Sequence, residues 1–121
     1  MTHITVAHAA GRWRVRAEGH ATGSPEACAG VSALLYALAG WLANAPEGVR
    51  RERVSLAPGA AELVFSGGPA AAAAAELVAV GLAQIAKAVP EAVAADITGI
   101  SGAEPEAAPA GSPQERKENP C

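Results

Sequence analysis

The sequence predicts an α+β fold: a β-β-α-β-β-α sandwich with a mainly antiparallel sheet and two helices on one face. Three observations lead there. Two short runs of strand character precede a long segment rich in alanine and leucine, and the same order then repeats. Glycine and proline punctuate each junction. The chain has 121 residues, half of them apolar, which is enough for one core and too little for two ordinary domains.

Ile4 to Ala10 and Arg12 to Glu18 read as strands separated by Gly11, and the second alternates cleanly. Trp13, Val15 and Ala17 take one face, while Arg12, Arg14 and Arg16 take the other. Ser24 suits a helix N-cap and Pro25 the first helical position, where a missing N–H costs nothing. The helix then runs from Glu26 to Asn44. Its Val31, Leu34, Leu35, Leu38, Trp41 and Leu42 cover more than one face, which predicts burial on more than one side. Ala45-Pro46-Glu47-Gly48 ends it. Arg53 to Ala57 and Glu62 to Ser66 form a second hairpin around Pro58-Gly59, with Val54, Leu56, Leu63 and Phe65 facing the core. Gly67-Gly68-Pro69 opens a second helix, about Ala71 to Val89, closed by Pro90. From Ser101 to Cys121 the composition shifts to Gly, Pro, Ala, Glu and Lys without apolar periodicity, so the expected division is a domain over 1–100 and a disordered tail over 101–121.

Composition bounds the function classes. A net charge of −3 provides no general attraction to phosphate, so no direct nucleic-acid partner is expected. Arg12, Arg14 and Arg16, with Arg50, Arg51 and Arg53, form either a local basic patch or a solvated sheet face. Cys28 and Cys121 lack the spacing of a disulfide framework, and Met1-Thr2-His3-Ile4 lacks the pattern of a secretory leader. A reducing cytoplasm is the expected location. The apolar stretch from Ala27 to Ala45 approaches membrane-spanning length, but its glycines, alanines and Ser32 favour a buried helix and no membrane contact. His3 and His8, even taken with His20 and Cys28, match no metal-ligand spacing, so neither metal nor cofactor is expected. Aromatic residues are only 3% of the chain, and a core of small side chains gains from burying surface in a second subunit.

The chemistry concentrates at Gly19-His20-Ala21 and Cys28-Ala29-Gly30-Val31-Ser32. An imidazole at a strand end and a thiol in the first helical turns, separated by Ala21 to Ala27, have the layout of a cysteine nucleophile beside its base. The positive helix end favours negative charge on sulfur, and free amides there can hold an oxyanion. Ser32, one turn beyond Cys28, lies on the same helix face. Composition alone favours Cys28 as a small buried side chain and His20 as a loop residue, so the catalytic pair rests on the pattern around them.

Gly-His-Ala, a glycine-containing loop and Cys-Ala-Gly-Val-Ser-Ala-Leu resemble the ribosomal-processing cysteine protease (Prp) family; Gly81-Leu82, Ile85 and Val89-Pro90 resemble its C-terminal helix. The similarity spans about Ile4 to Ile97. It implies a homodimer packed through helices, Cys28 as nucleophile, His20 as general base, and a mobile glycine-rich loop over the site. Gly19, Ala21, Gly23 and Ser32 then contact substrate. The implied reaction removes a short N-terminal extension from a large-subunit ribosomal protein, or trims a virion protein in phage-borne relatives. Two departures stand out: the His-to-Cys loop is shorter than the family's by about four residues, and Pro25-Glu26-Ala27 replaces Asp-Ile-Val. The rival reading is a non-catalytic peptide-binding or assembly protein that keeps the fold.

Overall fold

The computed structural model describes residues 1–98. Over these the chain forms β1 (Thr2–Ala9), β2 (Arg12–Glu18), α1 (Pro25–Ala43), β3 (Arg50–Ala57), β4 (Ala60–Ser66), α2 (Gly68–Ala88) and β5 (Val93–Ile97). The expected tail over 101–121, with Cys121, lies outside the described residues.

The sheet order is β3-β4-β2-β1-β5. The three pairings among β1 to β4 are antiparallel, and β5 runs parallel to β1. Strands β2 and β3 are parallel but separated by β4, so α1 is a crossover; α2 likewise carries the chain from β4 to β5. The α+β architecture is therefore as the sequence predicts, with β5 as an addition. Local signals for β5 are weak, since Val93-Ala94-Ala95-Asp96-Ile97 is short and alanine-rich. What defines it is the free edge of β1, which pairs with it from Thr2 and Val93 to Val6 and Ile97.

Two further boundaries differ from expectation. β3 begins at Arg50 rather than Arg53, because a bulge between Arg51 and Arg53 absorbs Glu52 and interrupts the alternation. α2 begins at Gly68, with Gly67 as an N-cap at φ 140°. A Cβ at Gly67 would stand 2.5 Å from Val49 Cα, so this glycine also permits a close crossing of chains.

The core lies between the sheet and both helices. Ile4, Val6, Trp13, Val15, Leu63 and Phe65 meet Ala27, Val31, Leu35, Leu38 and Leu42 of α1, with Ala71, Ala75, Val78, Ala79 and Leu82 of α2. The helices themselves approach through bare backbone. A Cβ on Gly30 would lie 3.0 Å from Ile85 Cδ1, and one on Gly81 2.8 Å from Leu34 Cδ1. α1 is thus buried against the sheet and against α2, while Ala29, Ala33, Tyr36, Ala37 and Gly40 remain exposed. Both helices are long and apolar enough to cross a membrane by length and composition; here each lays one stripe into the core.

On the other face of the sheet, Arg14 and Arg53 flank Glu62 at 2.7 and 2.9 Å, and Arg12 pairs with Glu52 at 2.8 Å. Arg16 pairs with Glu18. The hydrogen bond and charge of Arg14 hold the Glu62 carboxyl below its ordinary range, with Arg53 and Arg16 adding to the effect. Val64 is buried between Arg14 and Arg53 in the ladder, where arginine stems cover apolar surface. These contacts favour the solvated, ion-paired face over an open basic patch.

Candidate active site

The segment between β2 and α1 is shaped by two short-range bonds. Ser24 N–H donates to the Ala21 carbonyl at 3.1 Å, closing a turn in which Gly23, at φ 85°, takes the position that requires positive φ. That turn delivers Ser24 to the helix start, where its hydroxyl accepts from Ala27 N–H at 3.3 Å and its carbonyl from Cys28 N–H at 3.1 Å. Pro25 has no N–H. The Glu26 N–H is left as the uncommitted amide of the turn, a smaller supply of oxyanion donors than the helix start suggests by itself.

Cys28, in the second turn of α1, and Ser32, one turn later, are half-buried and face the same pocket. Gly19 and His20 reach it from the end of β2. The pocket has a volume of about 250 Å³ and its remaining wall comes from Thr2, Ala17, Val31, Leu35, Tyr36 and the stretch Leu56 to Ala61. The structure therefore gathers Gly19, His20, Cys28 and Ser32 around one concavity. Ala21 is buried in the core, and Gly23 is exposed outside the pocket wall.

Glycines seat the imidazole. Gly19 N–H donates to the Gly59 carbonyl at 2.9 Å, docking the β3–β4 turn onto the end of β2. The His20 ring then lies over Gly59: a Cβ there would stand 2.5 Å from Nε2 and 3.0 Å from Cε1. Gly19 has φ 91°, and a Cβ on it would sit 2.2 Å from the Met1 carbonyl oxygen, so only glycine permits this approach to the first residue. His20 has no hydrogen-bonded orienting side chain among the described residues.

Sequence reasoning missed Thr2, Tyr36 and the Leu56 to Ala61 wall. Pro58-Gly59 signals a tight turn but carries no sign of what packs on it; that depends on β4 lying beside β2. His3 and His8 lie on opposite faces of β1, and His8 stacks on Trp13 with ring centroids 4.0 Å apart. Among the described residues, no three His, Cys, Asp or Glu side chains form a cluster able to hold a metal ion.

No protein-family model matches the sequence, and no curated protein does so. Solved structures do. The ribosomal processing protease Prp from S. aureus, in complex with a covalently linked product peptide, superposes with a TM-score of 0.68 at 18% identity, covering 81% of this chain and 100% of that one. The fold is that of the Prp proteases. The same S. aureus protein with a substrate peptide gives a TM-score of 0.57 at 17% identity, with coverage of 81% and 100%. SMU.848 from Streptococcus mutans gives 0.59 at 22% identity, covering 80% of this chain and 96% of its own. The Prp fold thus spans the five strands and two helices around the His20 and Cys28 pocket.

Proposed function

We propose that this protein is a cysteine endopeptidase that removes a short N-terminal extension from a large-subunit ribosomal protein or a related virion protein. The observation that carries the reading is the convergence of His20, Cys28 and Ser32 on one pocket, from a strand end and a helix start, within the Prp fold. Neighbours sharing that fold hold substrate and covalently linked product peptides, which supports a peptide as the substrate class.

In this mechanism Cys28 Sγ attacks the scissile carbonyl carbon while His20 takes the thiol proton. The amide C–N bond then breaks, His20 returns the proton to the leaving amine, and water hydrolyses the thioester to release the carboxylate and regenerate the thiol. The Ser32 hydroxyl, on the same pocket wall as Cys28, orients sulfur or substrate. The proposal requires no metal or cofactor, no membrane contact and no direct nucleic-acid partner. It places the protein in the cytoplasm, as a homodimer packed through helices. Leu77 and Val80 on the outer side of α2 and Tyr36 on α1, exposed in the single chain, support that association.

Purified protein incubated with candidate ribosomal and capsid proteins, followed by mass spectrometry, tests activity and substrate together. Cleavage is expected to fall about a thousandfold or more in Cys28→Ala with the fold retained. Equal cleavage by parent and variant removes Cys28 from the mechanism. Iodoacetamide provides a second readout: Cys28 should react faster than Cys121 at neutral pH, whereas a slow Cys28 indicates a peptide binder without turnover.

A further inference from the structure

Strand β3 is one edge of the sheet, paired with β4 and with no strand beyond it among the described residues. Bonded and non-bonded pairs alternate along an antiparallel ladder. The two-residue turn at Pro58-Gly59 makes Ala57 and Ala60 a bonded pair, so Leu56 opposite Ala61 and Val54 opposite Leu63 are the non-bonded ones. The main-chain N–H and C=O groups of Leu56 and Val54 therefore point away from β4, into the open edge.

Exposed strand edges are normally blunted by charge or by a bulge, and only half of β3 is. Its first half carries Arg50, Arg51, Glu52 and Arg53, and the bulge between Arg51 and Arg53 breaks the register there. From Val54 to Ala57 the strand has neither charge nor bulge. That bare half is the one that meets the candidate active site, since Leu56 and Ala57 share the pocket wall with Cys28, Ser32 and Tyr36. The opposite edge of the sheet, β5, lends the pocket no residue.

We propose that the peptide substrate docks along Val54 to Ala57 as an added strand, its main chain exchanging hydrogen bonds with Leu56 and Val54, and crosses from there into the pocket to Cys28. Main-chain bonds of this kind hold many sequences, so the edge supplies affinity. Side chains that alternate between the helix side and the outer side of the sheet then supply selection. The bulged, charged half stops the added strand before Arg53, which confines the pairing to the stretch beside the pocket. The inference rests on the peptidase reading and says how that site holds its substrate.

The test uses the full chain carrying Cys28→Ala, so that peptide is bound and not consumed. The probe is a synthetic peptide covering the N-terminal extension of the candidate ribosomal protein. Hydrogen exchange followed by NMR reads single amides: those of Leu56 and Val54 should exchange rapidly without peptide and slow about tenfold or more at saturation, whereas Ser55, already bonded in the ladder, changes little. Replacing each peptide N–H in turn by an ester oxygen should weaken affinity about three- to tenfold at every second position of the docked stretch, and little between them. No binding, or bound peptide with Leu56 and Val54 unprotected, overturns the inference, as do ester losses without a two-residue period. Protection that rises with protein concentration and needs no peptide also overturns it, and gives the edge to a second copy of the chain. The peptidase reading fails separately: a parent protein that protects both amides on binding the peptide and leaves it uncleaved keeps the added strand and loses the protease.

Discussion

The His20 ring occupies the space that a side chain on Gly59 would need, so the imidazole position depends on a residue 39 places away in the chain. Gly59→Ala must push the ring aside, and it also forces alanine to φ 74°. Gly11→Ala imposes nearly the same backbone strain, at φ 78°, with nothing within 4 Å of the added methyl. Both variants should lose about 1 to 2 kcal/mol of stability, the cost of left-handed backbone in an L-residue. Only Gly59→Ala should also lose cleavage, about ten- to a hundredfold, because a small misplacement of a reacting group is enough for such a loss. Equal cleavage by the two variants would show that the His20 position does not matter. At this scale the sequence reveals His20 and Cys28, which flank a recognisable turn and cap, and conceals Thr2 and Gly59. Nothing in the local residue pattern at those two positions records their neighbours in the pocket.

The helix signals lie within a few residues of one another, and α1 starts where Ser24 and Pro25 say it should. Its interior glycines differ in consequence. Gly30 admits Ile85, whereas a Cβ on Gly40 meets nothing within 4 Å. Gly40→Ala should therefore stabilise the protein by about 0.5 to 1 kcal/mol, the helix-propensity gain. The melting midpoint then rises by about 2 to 8 °C in a domain of this size, with cleavage unchanged. A lower midpoint would mean that this exposed position is covered by a partner surface. The strands were less legible. Charge in Arg50-Arg51-Glu52-Arg53 hides the start of β3, because a bulge at an edge strand follows no two-residue period.

Across the molecule, Glu62 joins three strands on the outer sheet face through Arg14 and Arg16 of β2 and Arg53 of β3. Its carboxyl is depressed below the ordinary range by these partners, Arg14 first. A depressed carboxylate stabilises the fold above its unfolded pKa, and the gain is lost as pH falls through the lower folded value. Glu62→Gln should accordingly lower the melting midpoint at neutral pH and converge with the parent in acid, once the pH has fallen through the depressed folded value. Added salt should narrow the neutral-pH difference as well. An identical gap at both pH values would assign the effect to packing over Val64 rather than to charge.

The order of elements, the caps of α1, the inward face of β2 and the likeness of the His20 and Cys28 segments to Prp proteases were all determined by sequence alone. Each depends on residues close enough to interact within a strand, turn or helical turn. Tertiary structure decided the rest: β5 exists because β1 offers an open edge, and the pocket is complete because β4 lies beside β2 and brings Pro58-Gly59 under the imidazole. Those pairings join residues distant along the chain, and the hydrogen bonds and burial that select them arise only once the sheet has assembled.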